Sequence, residues 1–404
     1  MDGLTRRSLL KASGVVGATA LLAGAARVGW AEVMDRAASS PLASGAPILV
    51  LVTMYGGNDG LNTVVPYADP AYHDARPELA YSPTDVIHLD DQLGLNPGLK
   101  GMAALWQERK LAIIRGVGYP KPDHSHFRSM DIWQSASPDS PVSSGWIGRW
   151  LDVSNGDPLL ALNIGDVLPP LAVGRSATAA ALSLTPAKKS ASRDALIGRL
   201  ATADPLDSAA AAQVASSYAA VQRVESTFAP VLAAGSGASG AVGGKGSALT
   251  DQLALVATCI RAGVPTRVYA VSASGFDTHA DEKVSQTAQL GAVDRALTAF
   301  RSSMAGDARA KDVVVMAYSE FGRRVKANAS QGTDHGTAGP VFVIGDGVKA
   351  GFYGDQPSLT DLDNGDLKTT TDFRAVYSEL LSTVLQTEPS RVIDKPQRPL
   401  GFLA

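Results

Sequence analysis

Pro47-Ile-Leu-Val-Leu-Val-Thr53 is an unbroken apolar run rich in β-branched residues, and Met54-Tyr-Gly-Gly-Asn-Asp-Gly60 follows it at once. A strand with one wet face alternates apolar and polar side chains. A run without that alternation suits a central parallel strand covered on both faces. Runs of the same kind recur at Leu111–Arg115, Leu159–Asn163, Thr266–Val271, Asp312–Tyr318 and Gly339–Ile344. Helical patterns lie between them, at about Leu99–Arg109, Phe127–Ser135, Trp146–Val153, Leu249–Ala262, Ser285–Met304 and Asp372–Leu385. Strands alternating with helices predict an α/β chain of three layers, a mostly parallel central sheet with helices on both faces.

The ends of these runs carry the polar chemistry. Gly57-Asn-Asp-Gly60, His124-Ser-His126, Asp277-Thr-His279, Ser319-Glu-Phe-Gly-Arg323 and Asp334-His-Gly336 are short segments beside apolar strands, and they hold four of the six histidines. Imidazole with carboxylate suits divalent transition metals such as zinc. In an open α/β sheet, ligand sites form beyond the carboxyl ends of strands. Each segment also has a plainer reading. Asp59 sits in what a tight reversal wants, and Ser125 is a ready helix N-cap. Asp277 is an acceptable cap for the next helix, and Glu320 is favoured at a helix start by the dipole. Asp334-His335 opens the last long strand, between glycines that permit close backbone approach. His73 and His88, in the Pro66–Gly98 covering stretch, read as surface or packing residues.

Net charge is −3 and no long basic run is present, which argues against nucleic acid as a partner. The single cysteine, Cys259, excludes an intramolecular disulfide and a cysteine-rich metal site, and its apolar surroundings read as core. Thr5-Arg-Arg-Ser-Leu-Leu-Lys11 heads a weakly apolar stretch to about Ala26, and Gly29-Trp-Ala31 offers small residues for cleavage after Ala31. This resembles a twin-arginine export signal, with a core helix or a membrane anchor as the competing readings. The run is glycine-interrupted and short for a membrane span. The expectation is a signal over residues 1–31, the twin-arginine translocase as partner during export, and a periplasmic or secreted product. Residues 32–46 then read as a linker and 47–404 as one domain. Alanine-rich Asp194–Leu232 and glycine-rich Gly235–Gly246 make a helical insertion at about 190–246.

Taken in order, Met54–Asn62, His124–Phe127 with Asp131–Trp133, Gly275–His279, Ser319–Arg323, Asp334–Gly336 and Thr371–Tyr377 resemble the DUF1501 family, which is grouped with the alkaline phosphatase and sulfatase superfamily. The resemblance implies an alkaline phosphatase-like fold and a metal-dependent hydrolase of phosphate or sulfate esters. It implies Ser125 as nucleophile, or a metal-activated water in its place, and Asp59 and Glu320 at one metal site. Asp277, His279 and His335 then form the other. The Asp-His pair of the superfamily falls on Glu320-Phe321, and phenylalanine cannot ligate, so that site loses a ligand unless His124 or His126 replaces it; either histidine can also serve as general acid. Arg323 or Arg128 is placed to steady anionic oxygens. Zinc or manganese is expected, with calcium possible, and the substrate is a small-molecule or polysaccharide ester. Cys259 and Ser125 both lack the context for conversion to formylglycine. The alternative is a catalytically silent periplasmic binding or assembly protein on the same scaffold.

Overall fold

The structure, a computed structural model, describes residues 27–165, 167–183 and 249–404. The twin-arginine motif and the insertion expected at 190–246 lie outside these residues. In chain order the strands are β1 (Arg27–Val28), β2 (Ile48–Met54), β3 (Val64–Val65), β4 (Ile87–His88), β5 (Gly94–Leu95), β6 (Leu111–Gly118), β7 (Ala161–Ile164), β8 (Ala180–Leu182), β9 (Val268–Ala273), β10 (Val313–Tyr318), β11 (Gly339–Gly345), β12 (Gly351–Tyr353) and β13 (Thr371–Asp372). The longer helices span Trp30–Ser39, Lys100–Gln107, His126–Ser135, Trp146–Val153, Leu249–Arg261 and Glu282–Ser303. Residues 27–39, which the sequence reading divides between signal and linker, thus contain β1 and a helix.

The chain falls into two compact units, where the sequence led us to expect one domain. The described residues of the smaller are 27–43, 144–165, 167–183 and 258–266. In it β8 pairs in parallel with both β1 and β7. The helix Trp146–Val153 lies so close to the backbone at Val173 and Gly174 that only a glycine fits at position 148. Cys259 is buried here, and burial pushes its thiol up to about 12, which removes thiolate chemistry.

The described residues of the larger unit are 44–143, 249–257 and 267–404. Its sheet runs β9-β2-β10-β11-β6-β12, with β13 also against β6. The α/β fold is mostly parallel: β2 runs with β9 and β10, and β12 and β13 run with β6. Every residue of β2 and of β10 is buried, which is why both runs lack polar alternation. β11 is antiparallel to β10 and to β6. Reversing β11 has a geometric result. Its leading end, and the trailing ends of β2, β6, β9 and β10, all lie at one rim of the sheet.

Long-range polar contacts fix the helices. Helix Lys100–Gln107 begins at Leu99, which has no capping side chain. Its first N–H groups are instead taken by Asp294 of helix Glu282–Ser303, which accepts from Gly101 N at 2.9 Å and Met102 N at 2.7 Å. The terminal helix Phe373–Glu379, expected to stay regular to about Leu385, continues instead as a π-turn at Leu380–Val384. No helix among the described residues is long and apolar enough to cross a membrane.

Candidate metal centre

The rim of the larger unit gathers side chains from the loops after β6, β9 and β10 and from the segment before β11. Asp277 Oδ1 is their common neighbour. It lies 3.0 Å from His279 Nε2, 3.2 Å from His335 Nε2 and 3.4 Å from His126 Nε2. The two nitrogens His279 Nε2 and His335 Nε2 are 2.9 Å apart. The ligand atoms of His126, Asp277 and His335 all fall within 4.8 Å of one another.

Each ring is held from behind. His126 Nδ1 lies 2.8 Å from Glu320 Oε1, and His335 Nδ1 lies 2.7 Å from the carbonyl oxygen of His124. His279 Nδ1 faces Asp334 Oδ1 at 3.5 Å. A carboxylate and a carbonyl can only accept, so Nδ1 of His126 and of His335 must donate, and in the neutral rings Nε2 carries the lone pair. Lone pairs therefore point toward one another and toward an anionic oxygen. His126 Nε2 is buried without any hydrogen-bond partner. Electrostatics of this kind are relieved by a cation between the nitrogens. Imidazoles backed by a carboxylate or a carbonyl are also how histidines are usually oriented toward a metal. The donor set fits a divalent ion.

Asp277 is anchored by Arg323, whose Nη2 donates to Oδ1 at 2.7 Å. That guanidinium is buried and also donates to the carbonyls of Gly57, Thr333, Gly56 and Phe276, so it is a fixed part of the rim. Partial burial would raise the Asp277 carboxyl, but the bond and the positive charge of Arg323 hold it down to about 2. His335 is shifted below its ordinary range, first by burial and then by the charges of Arg323 and His126, against the pull of Asp277 and the His124 carbonyl. An unprotonated imidazole is the form that ligates.

Phe321 forms the apolar floor, its ring 4.9 Å from that of His126 and 5.0 Å from that of His335. Gly57 makes room for it. That residue has φ +69°, and a Cβ there would meet Phe321 Cε2 at 2.1 Å.

The residues singled out from the sequence divide into three groups. Asp277, His279, His335 and His126 converge, with Arg323 bonded to Asp277. Glu320 stands behind His126: Oε1 also accepts Gly56 N at 2.9 Å, and Oε2 meets the Ser319 hydroxyl at 2.9 Å. Asp59 lies elsewhere. It is buried in an ion pair with Arg76, whose Nη2 donates to Oδ1 at 3.0 Å, while Arg76 also donates to the carbonyls of Val325 and Arg324. Burial alone would raise the Asp59 carboxyl, but Arg76 keeps it ionised, below its usual range. Glu282 next to it is pushed up to about 9 by burial and by the charge of Asp59, so it is protonated at neutral pH. Its Oε2 accepts from the Thr333 hydroxyl at 2.5 Å, and its Oε1 is buried without a hydrogen-bond partner.

Ser125 caps the helix His126–Ser135, its hydroxyl accepting from Arg128 N at 3.5 Å, one position before His126. The Arg128 guanidinium pairs with Asp131 on the same helix. The His124 side chain turns to Asp366, Nε2 to Oδ2 at 2.8 Å, while its carbonyl serves His335. His73 and His88 bond locally, to the carbonyls of Tyr67 and Pro83. Sequence reasoning missed Arg76, Glu282 and Asp366, and it singled out Asp334 without giving it a role. Only Asp334, beside His335 in the sequence, carried a local signal.

A sequence-family profile described as "Protein of unknown function (DUF1501)" matches residues 164–400, more than half of the chain. The chain belongs to the DUF1501 family. The matched span includes Asp277, His279, Glu320 and His335, and it begins after the Gly57 and His124 segments. No curated protein matches the sequence. Among solved structures, the chain is similar to a protein in the alkaline phosphatase superfamily from Vibrio parahaemolyticus, at 9% identity and TM-score 0.42, covering 91% of this chain and 76% of that one. It is also similar to a lipoteichoic acid synthase from Listeria monocytogenes, at 10% identity and TM-score 0.33, covering 92% and 79%.

Proposed function

We propose that this DUF1501 protein is a metal-dependent hydrolase of phosphate or sulfate esters, exported by the twin-arginine route to the periplasm or beyond. The observation that carries the reading is the convergence of His126, His279 and His335 Nε2 on Asp277 Oδ1, with each imidazole backed by an acceptor. His126, Asp277, His279 and His335 would hold one divalent ion, zinc or manganese by the chemistry of the donors. Such an ion, when bound, supplies Lewis acidity to an ester oxygen and lowers the pKa of a hydroxyl or water.

The chain's own residues would do the rest. Glu320 and the His124 carbonyl keep two imidazoles in the ligating tautomer. Arg323 keeps Asp277 ionised and immobile. Ser125, at a helix N-terminus where amides and dipole favour negative charge, is the side-chain nucleophile this reading selects. Phe321 excludes water from beneath the rings. Asp59 has no part in ligation here, because Arg76 already neutralises it. The export reading is supported by the Thr5–Lys11 pattern alone.

The experiment is elemental analysis of natively exported protein, followed by aryl phosphate and aryl sulfate turnover for wild type, Ser125→Ala and His279→Ala. The reading expects about one divalent ion per chain, metal loss in His279→Ala and activity loss in both variants. Metal-free wild type without turnover would count against it. Stoichiometric metal with no hydrolysis of either ester would favour the silent-scaffold alternative, in which the ion serves only the fold.

A further inference from the structure

His124 borders a second feature. On the far side of its backbone lies a cavity of about 340 Å³, within the size range of small-molecule sites. Lys121, His124, Arg324, Asp363, Asp366 and Lys368 supply its charged lining. Asp366 is the informative one. It is only 4% exposed, Oδ2 is taken by His124, and Oδ1 is buried with no hydrogen-bond partner. The nearest cation to Oδ1 is Arg324 Nε, at 3.8 Å, beyond hydrogen-bond reach. A buried carboxylate oxygen left without a donor is costly, and because Asp366 lines the cavity a small turn of its side chain would bring that oxygen to a donor there.

What arrives is constrained by charge. Carboxylates and cationic groups share the wall, and Lys368 is already paired with Asp361. A net anion meets Asp363 and Asp366, and a net cation meets Arg324 and Lys121. A hydroxyl both donates and accepts, so it suits such a wall without bringing charge. We propose that this cavity is a subsite for a neutral polyhydroxylated group, such as a sugar ring, with one hydroxyl donating to Asp366 Oδ1 and another accepting from Arg324. That this group is the alcohol side of an ester rests on the hydrolase reading above. Recognition of the polyol does not.

The test therefore reads binding, not turnover. Saturation-transfer NMR would be run on the full mature protein with glucose, galactose, N-acetylglucosamine and maltose as probes. Transfer to at least one of these sugars is expected from wild type and equally from His279→Ala, which separates the subsite from the metal centre. Asp366→Asn should weaken that binding about tenfold. His124 would hold the amide oxygen in the variant, turning an NH₂ donor into the cavity. Arg324→Met, at a half-exposed position, should weaken it too, and decides the matter if Asp366→Asn fails to fold. No transfer from wild type to any of the four sugars overturns the proposal. So does transfer that Arg324→Met and a folded Asp366→Asn leave unchanged.

Discussion

Gly57 and Phe321 approach so closely that the absence of a side chain at one position is what seats the ring of the other: a Cβ on residue 57 would lie 2.1 Å from Phe321 Cε2. Because that ring floors His126 and His335, a backbone choice at the end of β2 is felt at the metal centre. Gly57→Ala combines overpacking with a left-handed φ unsuited to alanine. It should cost about 2–4 kcal/mol of stability in urea denaturation. If the variant is as stable as wild type, Phe321 is not held as described.

Glu320 should behave as an orienting group. Glu320→Ala frees His126 to rotate and should weaken divalent-metal affinity roughly 10–100-fold, measured by competition with a chromophoric chelator. Glu320→Gln keeps an acceptor for His126 Nδ1 and should lose much less. Equal losses in the two variants would make Glu320 a direct ligand.

Asp59 and Arg76 form a buried ion pair, and removing one partner strands the other. Arg76→Met should destabilise by about 3–5 kcal/mol in chemical denaturation. Asp59→Asn should be costly as well, yet its metal affinity, measured on the folded fraction, should match wild type. A metal-binding defect in Asp59→Asn would return this aspartate to the site.

Glu282 gives a pH signature. Its carboxyl, raised in the folded protein from 4.5 to about 9, retains a proton that the unfolded chain has shed. Folding therefore takes up a proton across that window, and this group's contribution to stability falls as pH rises. Glu282→Gln mimics the protonated form. Relative to wild type it should be neutral near pH 5 and increasingly stabilising toward pH 9, by about 1.4 kcal/mol per pH unit at most. Thermal melts at a series of pH values would show this, and parallel curves for the two proteins would refute it.

Much of the candidate site was legible because its side chains sit next to features that sequence shows well. The apolar runs of β9 and β11 announce their ends, and Asp277 and His279 lie just after the first while His335 lies just before the second. Strand direction was not legible: nothing in Gly339–Ile344 says that β11 runs backwards, although that reversal brings His335 to the rim. Asp59 misled for a physical reason. Its partner Arg76 is 17 positions away, in a stretch that reads as covering loop, and a buried guanidinium has no local signature. Glu320 was seen as ligand chemistry, but its role depends on which face of His126 it meets. The pairing of His124 with Asp366 spans 242 positions and leaves no trace in either segment.

The bond from His335 to the His124 carbonyl joins positions 211 residues apart. During synthesis, at roughly 5–20 residues per second, the first of these segments leaves the ribosome about 10–40 s before the second. Until then His126 lacks His335, although Asp277 and His279 have already been made. The full cluster cannot exist in any fragment ending before His335, so on the metal reading an ion would be captured only after translation has passed that residue.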